Sequence, residues 1–250
     1  MTDTPSQTPP ADDHEWSRPV RGATVLVTGA NRGLGLTVTR ALLAAGAAKV
    51  YGAARDASTV TEPGVVPVQL DVTDAASVAR AAEQCGDVSL VINNAGVSSS
   101  TSATGSVEHA RLDMETNYFG TMSMSSAFAP VLARNGGGAL VNVLSVLSWF
   151  SLPATSAYCA SKAAAWSLTN SLRVELLPQR TLVTAVHVGF MDTDMTAGIE
   201  APKLAPEVVA EQLVAALEAG RSEVLADELS VQVRAGLSAG LDALYPGVAA

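Results

Sequence analysis

Three side chains in the middle of the sequence have the types and spacing needed to transfer a proton to or from a substrate. Tyr158 and Lys162 are four residues apart, which places a phenol and an ammonium one turn apart on one face of a helix. Ser145 precedes the tyrosine and ends a run of strand-forming residues. A hydroxyl held at the end of a strand can meet the phenol over a single substrate atom. The pattern therefore predicts a proton-transfer site.

A glycine-rich turn near the start of the chain could hold a phosphate-bearing ligand. Gly29, Gly33 and Gly35 follow the apolar run from 24 to 27. Glycines let the backbone approach a pyrophosphate, and the N-terminus of the next helix offers free N–H groups and a positive dipole end. A tight turn without a ligand would use the same residues. The combination with the proton-transfer residues favours the ligand-binding interpretation.

Short β-branched runs alternate with longer helical patterns, which indicates βαβ units around a parallel sheet. The predicted strands are Thr24–Thr28, Lys49–Ala53, Val65–Leu70, Leu90–Asn93, Ala139–Ser145, Thr181–Val188 and Glu223–Ala226. The predicted helices are Leu34–Ala45, Ala75–Cys85, Val107–Leu132, Ser156–Leu177 and Pro206–Ala219. The fold class is therefore α/β, a doubly wound parallel sheet of about seven strands with helices on both faces, the Rossmann fold.

A proline inside the third predicted strand gives a topological clue. Pro67 cannot donate a hydrogen bond to a ladder, so its strand is predicted to lie at an edge of the sheet. In the doubly wound order 3-2-1-4-5-6 the third strand is an edge strand. The residue type and the topology agree.

Composition predicts one domain in a reducing compartment. The 250 residues are 48% hydrophobic, carry a net charge of −9 and include two cysteines, which we interpret as a cytoplasmic protein without disulfides. The negative charge argues against nucleic acid, and no apolar run reaches the ~20 residues of a membrane span. The polar segment 1–21 is predicted to be a disordered tail before a domain covering 22–250. The three histidines have no metal-ligand spacing.

Together these motifs resemble the short-chain dehydrogenase/reductase family. The resemblance extends over roughly Ala23 to Thr193, and its motifs occur in the expected order. The matching residues are Thr28, Gly29, Gly33, Gly35, Asn93, Asn94, Ala95, Gly96, Asn117, Ser145, Tyr158 and Lys162. The resemblance implies an NAD(P)-dependent oxidoreductase that transfers a hydride between its cofactor and a carbonyl or secondary alcohol.

The resemblance also implies a role for each catalytic residue. Tyr158 would be the general acid/base, Lys162 would bind the cofactor ribose, and Ser145 would hold the substrate oxygen. A free tyrosine has a pKa of about 10, and we expect Lys162 to lower this value. Asn117 would hold a water that links Lys162 to solvent, although an ordinary helix residue is the alternative.

The end of the second predicted strand favours NADP(H) over NAD(H). Family members that prefer NAD tend to carry an acid there, whereas this chain has Ala54 followed by Arg55. Arg55 and Arg32, from the glycine turn, suit a 2′-phosphate because guanidinium groups bind phosphate with paired hydrogen bonds. Asp56 could instead pair with Arg55.

The remaining predicted cofactor contacts follow from the resemblance. They are Gly29, Asn31, Gly33, Leu34, Asp71, Val72, Asn94, Ala95, Gly96, Tyr158, Lys162, Val188, Gly189, Met191 and Thr193. Asp71 could alternatively cap the helix that begins near Ala75. The family usually has Pro-Gly after the sixth strand, whereas here Val188 replaces the proline, so the turn is less constrained.

Two further features leave alternatives open. Trp149, Phe150, Leu152, Met191 and Met195 could line an apolar substrate pocket or pack against helices. The chain lacks the Gly-rich ending that helps many family members form tetramers, which favours a homodimer or a monomer. The alternative functions are reduction of an alkene or imine on the same scaffold, and a sensor that binds NADP without turnover.

Overall fold

A parallel sheet of seven strands runs through the centre of the protein, in a computed structural model that describes residues 16–245. The strands are β1 (Thr24–Thr28), β2 (Lys49–Ala54), β3 (Val65–Gln69), β4 (Leu90–Asn93), β5 (Gly138–Val143), β6 (Thr181–His187) and β7 (Glu223–Leu225). Their order is β3-β2-β1-β4-β5-β6-β7, so the predicted doubly wound topology is confirmed. Pro67 lies in the edge strand β3, as its missing N–H donor requires.

Helices cover both faces of this sheet. They are α1 (Gly33–Ala44), α2 (Ala75–Gln84), α3 (Val107–Met114), α4 (Thr121–Arg134), α5 (Ser156–Glu175), α6 (Pro206–Glu218), α7 (Glu228–Gly236) and α8 (Leu241–Leu244). Residues of α1 and α6 form one hydrophobic core with one face of the sheet, and residues of α2, α4 and α5 form another with the opposite face. Strands that are enclosed on both faces have continuous aliphatic sequences, which explains why the predicted strands are aliphatic runs without polar alternation.

The prediction of a single long helix over Val107–Leu132 is wrong, because this helix is interrupted. A π-helical segment, Glu115–Gly120, separates α3 from α4. Gly120 packs so closely on Val72 that a Cβ there would lie 2.7 Å from a methyl carbon of the valine. Such segments are frequent at functional sites, and this one contains Asn117.

The N-terminal boundary also differs from the sequence-based expectation. Residues 1–15 of the predicted tail lie outside the described part of the chain, but residues 16–21 pack against the domain. The Arg18 N–H donates to Leu217 O, its guanidinium donates to Gly138 O at 2.9 Å, and Val20 is fully buried. Hydrogen bonds from the backbone and side chain of Arg18, together with the packing of Val20 and Trp16, therefore fix a segment whose composition is largely polar.

The helices offer no membrane span. Within residues 16–245, none is both long and apolar enough to cross a bilayer.

Candidate active site

The glycine turn forms a cradle at the carboxyl edge of the sheet. Gly29 and Gly33 adopt φ values of 66° and 52°, a region that favours glycine. A Cβ on Gly35 would lie 2.0 Å from Gly29 O, so only glycine fits there. The first turn of α1 has neither a side-chain cap nor an acidic residue. Its N–H groups can therefore bind an anion, and the cradle fits a pyrophosphate.

A second turn locks this cradle in place. Thr28 Oγ1 accepts hydrogen bonds from the N–H groups of Asn94 and Ala95, each at 3.0 Å. The Asn94 side-chain amide donates to Thr28 O at 2.9 Å. Asn94 therefore joins the ends of β1 and β4, and the two turns form the floor of one cleft.

Arg55 directly follows β2, at the carboxyl edge of the sheet where this cleft lies. Arg55 is exposed and makes no hydrogen bond or ion pair within residues 16–245. Asp56, the alternative partner for Arg55, instead accepts hydrogen bonds from the N–H and hydroxyl of Ser58. The arginine is therefore available to an anion.

Asp71 also stands at this edge, after β3. Hydrogen bonds from the hydroxyl and N–H of Thr73 hold its pKa below the ordinary value, and the charge of Arg55 adds to the effect. Its alternative role as a cap of α2 is wrong, because Asp74 caps that helix by accepting from Ala76 N at 2.9 Å. Val72 is buried beside Asp71.

Ser145 and Tyr158 meet beyond the end of β5. Ser145 is buried, and its Oγ accepts from Leu147 N at 3.1 Å and lies 3.4 Å from Val188 O. Burial raises the pKa of Tyr158 to about 12, and a hydrogen bond with Ser145 opposes the shift. The phenol therefore keeps its proton at neutral pH.

Lys162 lies below the phenol, inside the protein. Its ammonium donates to Val143 O at 2.8 Å and lies 5.7 Å from the centroid of the Tyr158 ring. Burial lowers the pKa of Lys162 to about 8. The expectation that Lys162 brings the pKa of Tyr158 below its ordinary value is wrong, because burial raises that pKa instead. Desolvation is the largest influence on the pKa of both groups.

Asn117 connects the π segment to the cleft. Its Oδ1 accepts from Val97 N at 2.9 Å, and its Nδ2 donates to Val97 O and to Ser161 Oγ. A Cβ on Gly96 would lie 3.1 Å from that Oδ1 and 3.7 Å from the Lys162 nitrogen. The side chain is buried, and its hydrogen bonds fix the turn after β4 beside the π segment, while its role toward a water stays a prediction.

The turn after β6 closes the cleft from the other side. Thr193 reaches back to the glycine turn, where a Cβ on Gly33 would lie 3.7 Å from its methyl carbon. Arg32 and Asp194 form an exposed ion pair at 3.3 Å across the same gap. Met191 pairs with Leu204 in an isolated bridge and is half-buried. The predicted contacts from the first and sixth strands therefore face one another.

His187, which no sequence motif marks as a site residue, has its ring behind Ser145. Its Nδ1 is 3.2 Å from Ser145 O, and because a carbonyl only accepts, Nδ1 carries the proton. The ring stacks on Trp149 at 3.8 Å, and burial lowers its pKa to about 3, so it is neutral. The stacking shows that Trp149 packs in the interior. The only sequence signal was a histidine at the last position of an apolar strand.

The other candidate pocket residues differ in how deeply they are buried. Phe150 and Leu152 are half-buried and pack with residues of α7, while Met195 is exposed. The Tyr245 hydroxyl accepts from Ser151 N at 2.8 Å, so the C-terminal segment supports the loop between Ser145 and Tyr158. This support could not be read from the sequence, because it joins residues far apart in the chain.

A buried acid orders the polar loop after β4, a second feature that the sequence did not reveal. Asp113 on α3 is fully buried and accepts from the N–H and hydroxyl of Ser99, both at 2.9 Å. The same loop adopts a φ of 51° at Ser100, and Thr101 O accepts from Ala157 N in α5. The loop is therefore fixed beside the N-terminal turn of the helix that carries Tyr158.

Comparisons with known proteins agree with this geometry. A crystal structure of a short-chain dehydrogenase from Burkholderia cenocepacia in complex with NADP superposes with a TM-score of 0.86 at 42% identity, covering 90% of this chain and 96% of that one. An NADP-dependent 3-hydroxy acid dehydrogenase from Schizosaccharomyces pombe is 29% identical over 83% of this chain and 92% of its own length.

A bovine relative is similar over a shorter stretch. The Bos taurus dehydrogenase/reductase SDR family member 7B is 35% identical over 71% of this chain, and the match spans 60% of that protein's length. The family model described as short chain dehydrogenase matches residues 23–204, which include the glycine turn, the Asn94 turn and the Ser145, Tyr158 and Lys162 side chains. On this match and on the parallel sheet that assembles these residues at one edge, the chain belongs to the short chain dehydrogenase family.

Proposed function

We propose that this protein is an NADP(H)-dependent carbonyl reductase that also runs in reverse as an alcohol dehydrogenase. The observation that carries the proposal is the meeting of Ser145, Tyr158 and Lys162 at the sheet edge that also holds the glycine cradle. A binder without turnover has no need of an aligned, protonated phenol. The NADP complex of the Burkholderia relative and the NADP-dependent yeast relative support the cofactor.

Each part of the cofactor would bind a different set of the predicted contact residues along the cleft. Gly29, Asn31, Gly33 and Leu34 would receive the pyrophosphate, and Arg55 with Arg32 the 2′-phosphate. Arg32 would have to exchange its ion pair with Asp194 for that phosphate. The adenine would contact Asp71 and Val72, and the inner ribose Asn94, Ala95, Gly96, Tyr158 and Lys162. The nicotinamide would contact Val188, Gly189, Met191 and Thr193.

The bound cofactor supplies or accepts the hydride, and the chain's own residues handle the proton. Ser145 would donate a hydrogen bond to the carbonyl oxygen and hold it against the phenol. Tyr158, protonated at neutral pH, would transfer its proton to the developing alkoxide. The Lys162 ammonium would stabilise the phenolate that remains. Asn117 would link this pair to solvent through a water.

Carbonyl reduction is expected to fall as the pH rises through about 8. Burial lowers the pKa of Lys162 to about 8, so above this pH the charge that stabilises the phenolate is lost. A profile of kcat/KM from pH 6 to 10 should bend near this value. A flat profile would contradict the role of Lys162.

Unfolding does not explain such a bend. The Lys162 pKa is lowered on folding, so the unfolded chain binds more protons between about pH 8 and 10.5. This group therefore contributes stability that increases over that window, and the melting temperature measured across the same buffers separates the two effects.

A spectrophotometric screen tests the proposal directly. NADPH and NADP⁺ would be mixed with ketones, aldehydes, alcohols, imines and activated alkenes, and absorbance at 340 nm followed. Turnover of ketones or alcohols supports the proposal, and turnover of alkenes or imines alone would replace it with the alternative chemistry. Tight NADPH binding without any turnover would favour a sensor.

We also propose that two copies associate through α4 and α5. Large apolar side chains are exposed on α3, the π segment, α4 and α5, with 74% of Val174 and 50% of Leu112 accessible in the single chain. Phe119 and Met122 are exposed as well. Both cysteines are free and buried, which fits a reducing compartment such as the cytoplasm.

Light scattering is expected to find a dimer that the double variant Met122→Glu/Val174→Glu converts to a monomer. Charges placed on an apolar interface would face one another and lose their hydration. Val66→Glu, which changes another exposed apolar side chain on the edge strand β3, is the matched control and should leave the dimer intact. A stable tetramer as the main species would contradict the prediction.

A further inference from the structure

The turn after β6 lacks the proline that the family usually has, and a different contact fixes it. Val188 occupies the proline position, and the next residue, Gly189, donates its N–H to Asp227 Oδ2 at 2.6 Å. A carboxylate accepting at this distance makes a strong, charge-assisted hydrogen bond. Asp227 lies just beyond β7, about forty residues later in the chain.

The two carboxylate oxygens of Asp227 accept hydrogen bonds from two different segments. Oδ1 accepts from Ser230 N at 2.7 Å and caps α7, while Oδ2 holds Gly189. The carboxylate forms no salt bridge in the part of the chain that the structure describes, so its negative charge is compensated by N–H groups. The backbones also run together, because Ala226 N donates to His187 O at 2.9 Å.

The contact between Gly189 and Asp227 also leaves no space for a side chain at position 189. A Cβ on Gly189 would lie 2.9 Å from Asp227 Oδ2 and 3.3 Å from a methyl carbon of Leu229. Any side chain at this position would push the carboxylate away from the N–H. Glycine is therefore required for the approach of Asp227, and the turn and the C-terminal segment are fitted to each other.

We propose that Asp227 is a positioning residue for the nicotinamide half of the cofactor, acting through Gly189. The inference rests on the proposed function, in which Val188, Gly189, Met191 and Thr193 contact the nicotinamide. In this chain, the hydrogen bond that Gly189 donates to Asp227 of the C-terminal segment replaces the rigidity that a proline would give the turn. Asp227 would act through its hydrogen bond with Gly189 and not by a contact of its own with the cofactor.

The variant Asp227→Asn separates the contact with Gly189 from the capping of α7. Asparagine caps helices about as well as aspartate, so α7 keeps its cap. Its single oxygen cannot also accept from Gly189, and its amide would face the Gly189 N–H donor to donor. We expect NADPH binding to weaken by ~10-fold, since a hydrogen bond to a charged group is lost.

Binding of 2′,5′-ADP distinguishes positioning from general damage. This fragment carries the adenine end of the cofactor and does not reach the turn, so Asp227→Asn should leave its affinity unchanged. Asp74→Asn is the matched control, because Asp74 caps α2 without touching the turn. It should leave both affinities unchanged. Fluorescence titration measures both ligands, and a melting curve confirms folding.

A second substitution tests the replacement of proline. Val188→Pro added to Asp227→Asn should restore most of the lost NADPH affinity, because the ring fixes φ. In the described residues, the Val188 N–H donates no backbone hydrogen bond that proline would remove. If Asp227→Asn does not fold, Asp227→Ser keeps a capping oxygen but is too short for Gly189, and the same readings apply.

The outcomes are decisive. Unchanged NADPH affinity in a folded Asp227→Asn protein overturns the proposal, as does an equal loss for NADPH and 2′,5′-ADP. Failure of the proline to restore affinity also counts against it. The readout is binding, so it is independent of turnover, and a failure of the carbonyl reductase assignment would be seen separately in the substrate screen.

Discussion

Tyr158→Phe is expected to lower the rate of carbonyl reduction by ~10² or more, because general acid catalysis contributes 10²–10⁴. The ring and its packing remain, and only the proton donor is removed. NADPH binding should change little, since the phenol supplies one of many cofactor contacts. Stopped-flow measurement of NADPH oxidation with a ketone found in the screen would give the rate, and fluorescence titration the affinity.

A matched tyrosine provides the control for this result. Tyr51 on β2 also has a hydrogen-bonded hydroxyl, 3.0 Å from Asp87, but it packs in the core away from Ser145. Tyr51→Phe removes the same atom and should leave turnover unchanged. Near-normal reduction by folded Tyr158→Phe would remove the phenol from the mechanism.

The second large effect concerns the choice of nicotinamide. Arg55→Ala should weaken NADPH by ~10-fold or more and leave NADH nearly unchanged, because a charge-assisted hydrogen bond to the 2′-phosphate is lost. Adding Ala54→Asp should reverse the preference, since a carboxylate at the end of β2 repels the phosphate and can bind the ribose hydroxyl. The measurement is kcat/KM for both cofactors in the parent and both variants.

The control for the loss of positive charge is a variant that removes a guanidinium group far from the cleft. Arg134 ends α4, which leads into β5, and therefore lies at the amino edge of the sheet, opposite the cleft. Arg134→Ala changes the net charge equally and should not alter the preference. If the parent protein already prefers NADH, or Arg55→Ala weakens both cofactors equally, the 2′-phosphate is bound elsewhere.

The sequence predicted the sheet well because its strands are enclosed on both faces and carry uninterrupted aliphatic runs. Pro67 even identified an edge. The π segment around Asn117 was not predicted, because one extra residue in a helical turn hardly changes the pattern of apolar positions. The tail boundary was misplaced because Arg18 is fixed by backbone carbonyls of Gly138 and Arg180, which local composition does not reveal.

The candidate site was predicted where local motifs carry it and missed where the tertiary structure supports it. Tyr158 and Lys162 share one helix face, so their spacing alone brought them together. Their protonation could not be deduced in the same way, because it depends on desolvation by the whole fold. His187 behind Ser145 and Asp227 beneath Gly189 join strands to distant segments, and no local pattern marks such pairs.

The anchored N-terminal segment has a consequence for the order in which the protein folds. Residues 16–20 precede the whole sheet in the sequence, yet their partners are Gly138, Arg180 and Leu217. Contacts across such long stretches of chain form late, because the intervening loop must close before they are gained. We therefore expect this segment, although it precedes β1, to be among the last to dock, at the amino edge of a sheet that has already assembled.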